Sequence, residues 1–342
     1  MNSQIPAPVQ LRQPAVPAAR SEFLETQRFK KRLYGLSGTM LCYYAGTAVF
    51  AVLFGLILGL LSGVFPGVQA WMQTDTYIWI EQIVLSALTM LVPFSIYARL
   101  SGFRVWGLFR PRRTTGALLG VALTSGLALC FVASLAAGLV SNLFTALTHL
   151  PSSVDLPVPT TLAGTILFFA AVAVEAPIVE EYVFRGVILQ TLRPYGNSFA
   201  ILMSAIFFAV LHGNVAQGVG TFIMGLVFGF LAVKSGSLIP SVLLHALNNT
   251  MACMETLLQK RLTPPQFLLF QYGMMGVVFL VGLTVLILYA VKHPGFFRIR
   301  ESVPRLAVPV RRSLVARNGL LIAFWCVSAL NFILTMLLTA AS

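Results

Sequence analysis

The run TLAGTILFFAAVAVEAPIVEEYVFRGVILQTL, residues 161–192, decides what kind of molecule this is. It is mostly apolar and longer than the roughly 20 residues that a bilayer crossing takes, yet it contains Glu180, Glu181 and Arg185. Ionisable groups at bilayer depth are expensive, so such a cluster points to function by default. After Pro177 the segment is expected to be helical. Glu181 and Arg185 are then four apart on one face and able to pair, while Glu180 points about 100° away and is free for another partner. A carboxylate in apolar surroundings holds its proton more tightly than in water, which suits a general base near neutral pH. An ion-pair network that merely stitches helices together is the plainer explanation. Two carboxylates against one arginine leave a charge over, so it fits poorly.

The rest of the chain extends the membrane reading. Hydrophobic residues make up 58% of it and charged residues 10%, against about 25% charged in soluble domains. The expected fold is all-α, a polytopic transmembrane bundle of 8–9 spans around an intramembrane polar site. Nine stretches qualify: 40–65, 78–98, 116–144, 161–192, 197–212, 218–233, 239–258, 266–291 and 318–340. The fifth and sixth are short, and Pro177 offers a kink in the fourth. Residues 1–38 are expected to be a disordered basic arm, 39–160 an N-terminal helical group, 161–260 the catalytic core and 261–342 a C-terminal helical group. Nothing in the polar, proline-rich start resembles a secretory signal.

The net charge of +13 does not indicate nucleic acid, because the basic residues fall in alternate connectors rather than on one soluble face. They gather in the N-terminal arm (with Arg12), around Arg99–Arg113, at Arg193 and Lys234, and from Lys292 to Arg317. The connectors 66–77 and 145–160 have none, and only Lys260 and Arg261 break the alternation. The positive-inside rule puts the N-terminus in the cytoplasm and the multi-pass chain in the cell membrane, with anionic lipids as partners of the basic loops. The four cysteines lie singly in apolar stretches, without CxxC spacing, and are expected to be buried, reduced and structural.

Two further segments carry usable polar groups. His212 closes Phe207-Phe208-Ala-Val-Leu-His212, and His245 and Asn249 stand four apart on one helix face. A lone histidine on an apolar helix is more often a satisfied core residue than a ligand; three polar groups in two segments change that weighting. One arrangement holds Zn(2+) with Glu180, His212 and His245, leaving a position for an activated water. A metal-free arrangement also works: Glu180 and a histidine activate water while Asn249 and the other histidine hold the oxyanion. Both stay open at this level. Counting 1.5 Å per residue puts Glu180 and His212 about 20 Å from the basic edge but His245 only about 9 Å in, a mismatch of two turns. Gly225 and Gly229 have the GxxxG spacing of closely packed membrane helices.

Taken in order, Glu180-Glu181-Tyr-Val-Phe-Arg185, Phe208-Ala-Val-Leu-His212 and His245-Ala-Leu-Asn-Asn249 resemble the EExxxR, FxxxH and HxxxN motifs of the CAAX-protease and bacteriocin-processing (Abi) family of intramembrane endopeptidases. Phe184-Arg185-Gly186 and Ser235-Gly-Ser-Leu238 add to the likeness, which covers about residues 161–251. The resemblance implies a helical bundle of about eight spans with a site inside the membrane, open towards the cytoplasm. It implies Glu180 as the residue acting on water, His212, His245 and Asn249 as completing the site, and Glu181, Arg185 and Phe208 as supports. It also implies a protein or peptide substrate, including lipid-modified ones. The basic arm and a ninth span after Arg317 depart from the family pattern. Two other functions use the same residues: a non-catalytic immunity or scaffolding protein that binds a peptide, and a proton-coupled transporter, for which an internal repeat is lacking.

Overall fold

The computed structural model describes residues 18–111, 114–153, 157–301 and 304–341. Arg12, Arg112 and Arg113 of the basic stretches lie outside them. The described residues form fourteen α-helices and no strand: α1 (Ala18–Val64), α2 (Pro66–Met72), α3 (Asp75–Ser86), α4 (Val92–Leu100), α5 (Gly116–Thr148), α6 (Leu162–Phe169), α7 (Ala176–Glu181), α8 (Leu189–Leu192), α9 (Asn197–Leu211), α10 (Val215–Ser235), α11 (Ile239–Gln259), α12 (Pro264–Lys292), α13 (Val308–Ala316) and α14 (Gly319–Ala341).

Several of these helices form longer rods. The α3–α4 rod runs from Asp75 to Leu100 through a π-helical turn at Ala87–Leu91. The α6–α8 rod runs from Leu162 to Tyr195 with π-helical turns at Ala170–Glu175 and Tyr182–Ile188. Two of these wide turns stand just before a proline, Pro93 and Pro177. A proline has no N–H to donate and crowds the carbonyl four residues back, and a wider turn relieves both. Starts are set by capping side chains: Thr74, Thr115, Thr161 and Asn214 each accept the N–H three residues on, as N-caps do.

All nine candidate stretches are helical, but the expected count of 8–9 spans is not reached by length and apolarity alone. Seven described helices or rods qualify as membrane-crossing. α9 has only 15 residues, and α11 falls short because His245, Asn248, Asn249 and Glu255 dilute its apolar character. Each buries one face in the bundle and leaves another open, with Leu202 of α9 and Leu243 and Met254 of α11 exposed. The arm also differs from expectation. From Ala18 onward it is helix, continuous with the first span, because Phe29, Leu33 and Leu36 share one face and bury it completely, Phe29 against Tyr195 at 4.5 Å. Of the cysteines, Cys130 and Cys253 are buried as expected, while Cys42 and Cys326 are exposed.

The bundle is centred on α10, packed between α9 and α5. A Cβ at Gly225 would lie 3.0 Å from Ala205, and one at Gly229 would lie 3.1 Å from Ile201. A side chain at either position would push that α9–α10 approach apart by a few tenths of an ångström, in a setting where van der Waals packing replaces the hydrophobic drive that lipid cannot supply. α12 leans on α5 through Ser125, whose hydroxyl donates to the Gly282 carbonyl at 2.8 Å. Its other side is bare, with Leu269 78% and Val291 75% exposed, as suits contact with lipid. At the basic end, Glu301 accepts the N–H groups of Asn197 and Ser198 at 2.8 and 3.0 Å and so caps α9. Burial raises its carboxyl pKa, but the bonds from Ser198 and Asn197 and the nearby Arg311 guanidinium outweigh that and hold it below the usual glutamate value.

Candidate active site

Glu180 and Glu181 stand on α7, just after Pro177 and the wide turn Ala170–Glu175 of the α6–α8 rod. Glu181 is completely buried and accepts from Arg185 Nη1 at 2.7 Å. Arg185, also without exposure, donates through Nη2 to the Gly225 carbonyl at 3.2 Å. Its guanidinium lies 4.5 Å from the Phe208 ring centre and 5.2 Å from that of Phe228. Delocalised charge over aromatic faces is one of the few comfortable ways to keep an arginine dry. The carbonyls loosened by the π turns are used as well: Ser204 donates to Phe184 and Gln190 to Arg185.

His245 is clamped between the two carboxylates. Its Nδ1 lies 3.3 Å from Glu181 Oε1, and its Nε2 lies 3.5 Å from Glu180 Oε2. Phe228 stacks on the imidazole at 4.9 Å and Phe208 meets it edge-on. Glu180 is the accessible member of the pair, with 20% of its side chain exposed into a cavity of about 710 Å³. His212, Asn249 and Asn248 line the same cavity. His212 Nδ1 lies 2.7 Å from the Phe208 carbonyl. A carbonyl only accepts, so Nδ1 carries the hydrogen and a neutral His212 presents a lone pair from Nε2. Asn249 Nδ2 donates to the Val172 carbonyl at 2.9 Å, in the π turn that precedes Pro177. All the sequence-derived site residues therefore converge: Glu180, His212, His245 and Asn249 on the cavity, with Glu181, Arg185 and Phe208 behind them.

Despite the two-turn mismatch in counted depth, His245 meets Glu180 at 3.5 Å. The α10–α11 turn is sunk below the bundle end, with Ser235, Ser237 and Leu238 buried, and the Leu238 N–H donates to the Leu108 carbonyl of the 3₁₀ turn Val105–Phe109. Gly186 admits that turn, since a Cβ there would lie 2.3 Å from Val105.

Other contributors escape sequence reasoning. Phe228 stacks on both Arg185 and His245; its only local signal is its place between Gly225 and Gly229. Glu175 faces the same cavity, as do Ser134, Gly138 and Ser141 of α5 and Trp79 of α3. Among the described residues, no three of His, Cys, Asp and Glu are grouped as a metal ion requires. Glu180, His212 and His245 as placed do not make a ligand set.

This fold and site define a polytopic membrane protein whose ionisable groups are held inside the bundle and reached through a deep cavity. Residues 162–251 match the family described as "Rce1-like: Type II CAAX prenyl endopeptidase Rce1-like". That segment, well under half of the chain, carries every motif residue, so the likeness to a CAAX prenyl endopeptidase is confined to the part that builds the site. No curated protein and no solved structure matches the chain.

Proposed function

We propose that this protein is an intramembrane endopeptidase that hydrolyses a peptide bond of a membrane-associated protein or peptide, with Glu180 as the base. The observation that carries the reading is the Glu180–His245 contact, 3.5 Å at the floor of the cavity, beside a second carboxylate already neutralised by Arg185. Glu180 faces the cavity and can hold a water. It takes that water's proton as the oxygen adds to the scissile carbonyl, then returns it to the departing amine as the C–N bond breaks. His245, with Nδ1 towards Glu181, is positioned to donate from Nε2 to the developing oxyanion, and Asn249 Nδ2 has a second hydrogen for the same purpose. The His212 Nε2 lone pair is a further acceptor for the water. Donation from Nε2 while Nδ1–H faces Glu181 takes the doubly protonated ring. This chemistry needs only protein groups and water, the metal-free one of the two arrangements the sequence leaves open, and the spacing of the donors favours it over the zinc arrangement.

The basic end of the bundle faces the cytoplasm in this reading, with anionic lipid headgroups against Arg104, Arg298 and Arg305. The reading is tested by comparing peptide termini in membranes of cells carrying wild-type protein or Glu180→Gln. Termini made only by the wild type establish proteolysis and name the substrate. Identical termini, with both proteins folded and equally abundant, would sink the reading in favour of a peptide-binding or immunity role.

A further inference from the structure

The cavity lies in one half of the bundle, the half whose connectors carry no basic residue except Lys260 and Arg261 between α11 and α12. Its lining includes Ile78 near the start of α3, Pro157 in the connector before α6, and Ala216 and Gln217 in the first turn of α10. These helix ends lie opposite Arg193, Lys234 and Arg104. From Ala216 to Phe228, both of which line it, the cavity extends about 18 Å along α10 at 1.5 Å per residue. Beyond Phe228, towards the basic end, Arg185, Ser241, Leu244 and Leu231 are all buried, and the cavity at that end, lined by Arg193, Asn197 and Lys234, shares no wall with this one.

A second cavity of about 520 Å³ adjoins the first, sharing Ser134, Gly138, Asn248 and Ala252 as walls. It opens sideways between α5, α11 and α12, beside Leu139, which is 72% exposed. Yet it presents Asn142, Glu255 and Gln271. Asn142 and Gln271 lie within about 10 Å of the helix ends on the non-basic side, and Glu255 closer still. Polar side chains on a lipid-side opening have a physical use. A peptide unwound inside a bilayer leaves backbone groups that must find partners, and amide and carboxylate side chains supply them.

We propose that the catalytic cavity is served from the membrane face opposite the basic loops, with the second cavity as its lateral arm. With the positive-inside orientation, its substrates are then segments of membrane proteins or peptides exposed at, or just within, the outer surface, a departure from the cytoplasmic opening that the family resemblance implies. The proposal rests on the protease reading for the word substrate, but sidedness is measurable without any cleavage. In a background lacking the exposed Cys42 and Cys326, Gln217→Cys and Ala252→Cys place thiols in the cavity, and Arg104→Cys places one at the basic end. Spheroplasts are treated with a membrane-impermeant maleimide before and after lysis. The expected result is labelling of Gln217→Cys and Ala252→Cys in intact spheroplasts, and of Arg104→Cys only after lysis. The reverse pattern overturns the proposal and leaves the protease reading standing. Cavity thiols that stay unlabelled even after lysis overturn it too, because the cavity would then be closed to water.

Discussion

Arg185→Met is the perturbation that most directly tests how the site is held. The arginine makes a charged hydrogen bond of 2.7 Å to Glu181 and a second bond of 3.2 Å to the Gly225 carbonyl. It also lies over the rings of Phe208 and Phe228. A charged hydrogen bond contributes about 1.5–3 kcal/mol and a desolvated cation–π contact about 2 kcal/mol. Removing one member of a buried ion pair costs about 3–5 kcal/mol, because the other charge is stranded. The two routes agree, so Arg185→Met is expected to lose about 4 kcal/mol. Adding Glu181→Met removes the stranded carboxylate. The double variant should therefore lose less than the sum of the singles, by about 2–3 kcal/mol of coupling. Unfolding is followed in a mixed-micelle denaturant titration through thiol labelling of the buried Cys130 and Cys253, in the background lacking Cys42 and Cys326. A loss under about 1 kcal/mol for Arg185→Met, or strictly additive singles, would refute the claim that this pair is a dry, coupled unit.

Three further outcomes are expected. Asn249→Leu strands the Val172 carbonyl and should cost about 1–3 kcal/mol; the same titration checks it, and cleavage should fall further than stability because an oxyanion donor is lost. Glu301→Gln should remove about 1 kcal/mol of α9 capping at neutral pH, read as a lower melting temperature. The folded-state pKa of Glu301 lies below its unfolded value, so its contribution is complete above the ordinary glutamate range and is lost as pH falls through the folded value. The gap between wild type and Glu301→Gln should therefore close on acidification, and a gap that widens there contradicts the capping role. Zinc chelation is expected to leave Glu180-dependent cleavage unchanged; activity lost to the chelator and restored by Zn(2+) would instead assign a metal to the site.

The membrane class was legible in the chain because apolar length and charge bias are additive properties that need no fold. So were the pairing of Glu181 with Arg185 and the close approach at Gly225 and Gly229, since helical spacing alone specifies them. The arm after Ala18 was misjudged because its charges dominate the composition, while the buried face consists of just Phe29, Leu33 and Leu36. The place of His245 is not legible by residue counting, which assumes that each connector lies at the bilayer edge, whereas the α10–α11 turn bonds to the turn Val105–Phe109 through the Leu238 N–H.

By itself, then, the sequence determined a helical membrane bundle, its three polar segments and the residues able to do chemistry in them. Only the tertiary structure decided that His245 lies between Glu180 and Glu181, that Phe228 stacks on it, and that α3 and α5 wall the cavity. It also decided that the cavity runs to the end of the bundle away from the basic loops. Helical periodicity fixes which groups share a face within one segment. The rotation, depth and tilt of one helix against another come from packing, here from glycine approaches, π turns before prolines and a sunken turn, each of which depends on residues far apart in the chain.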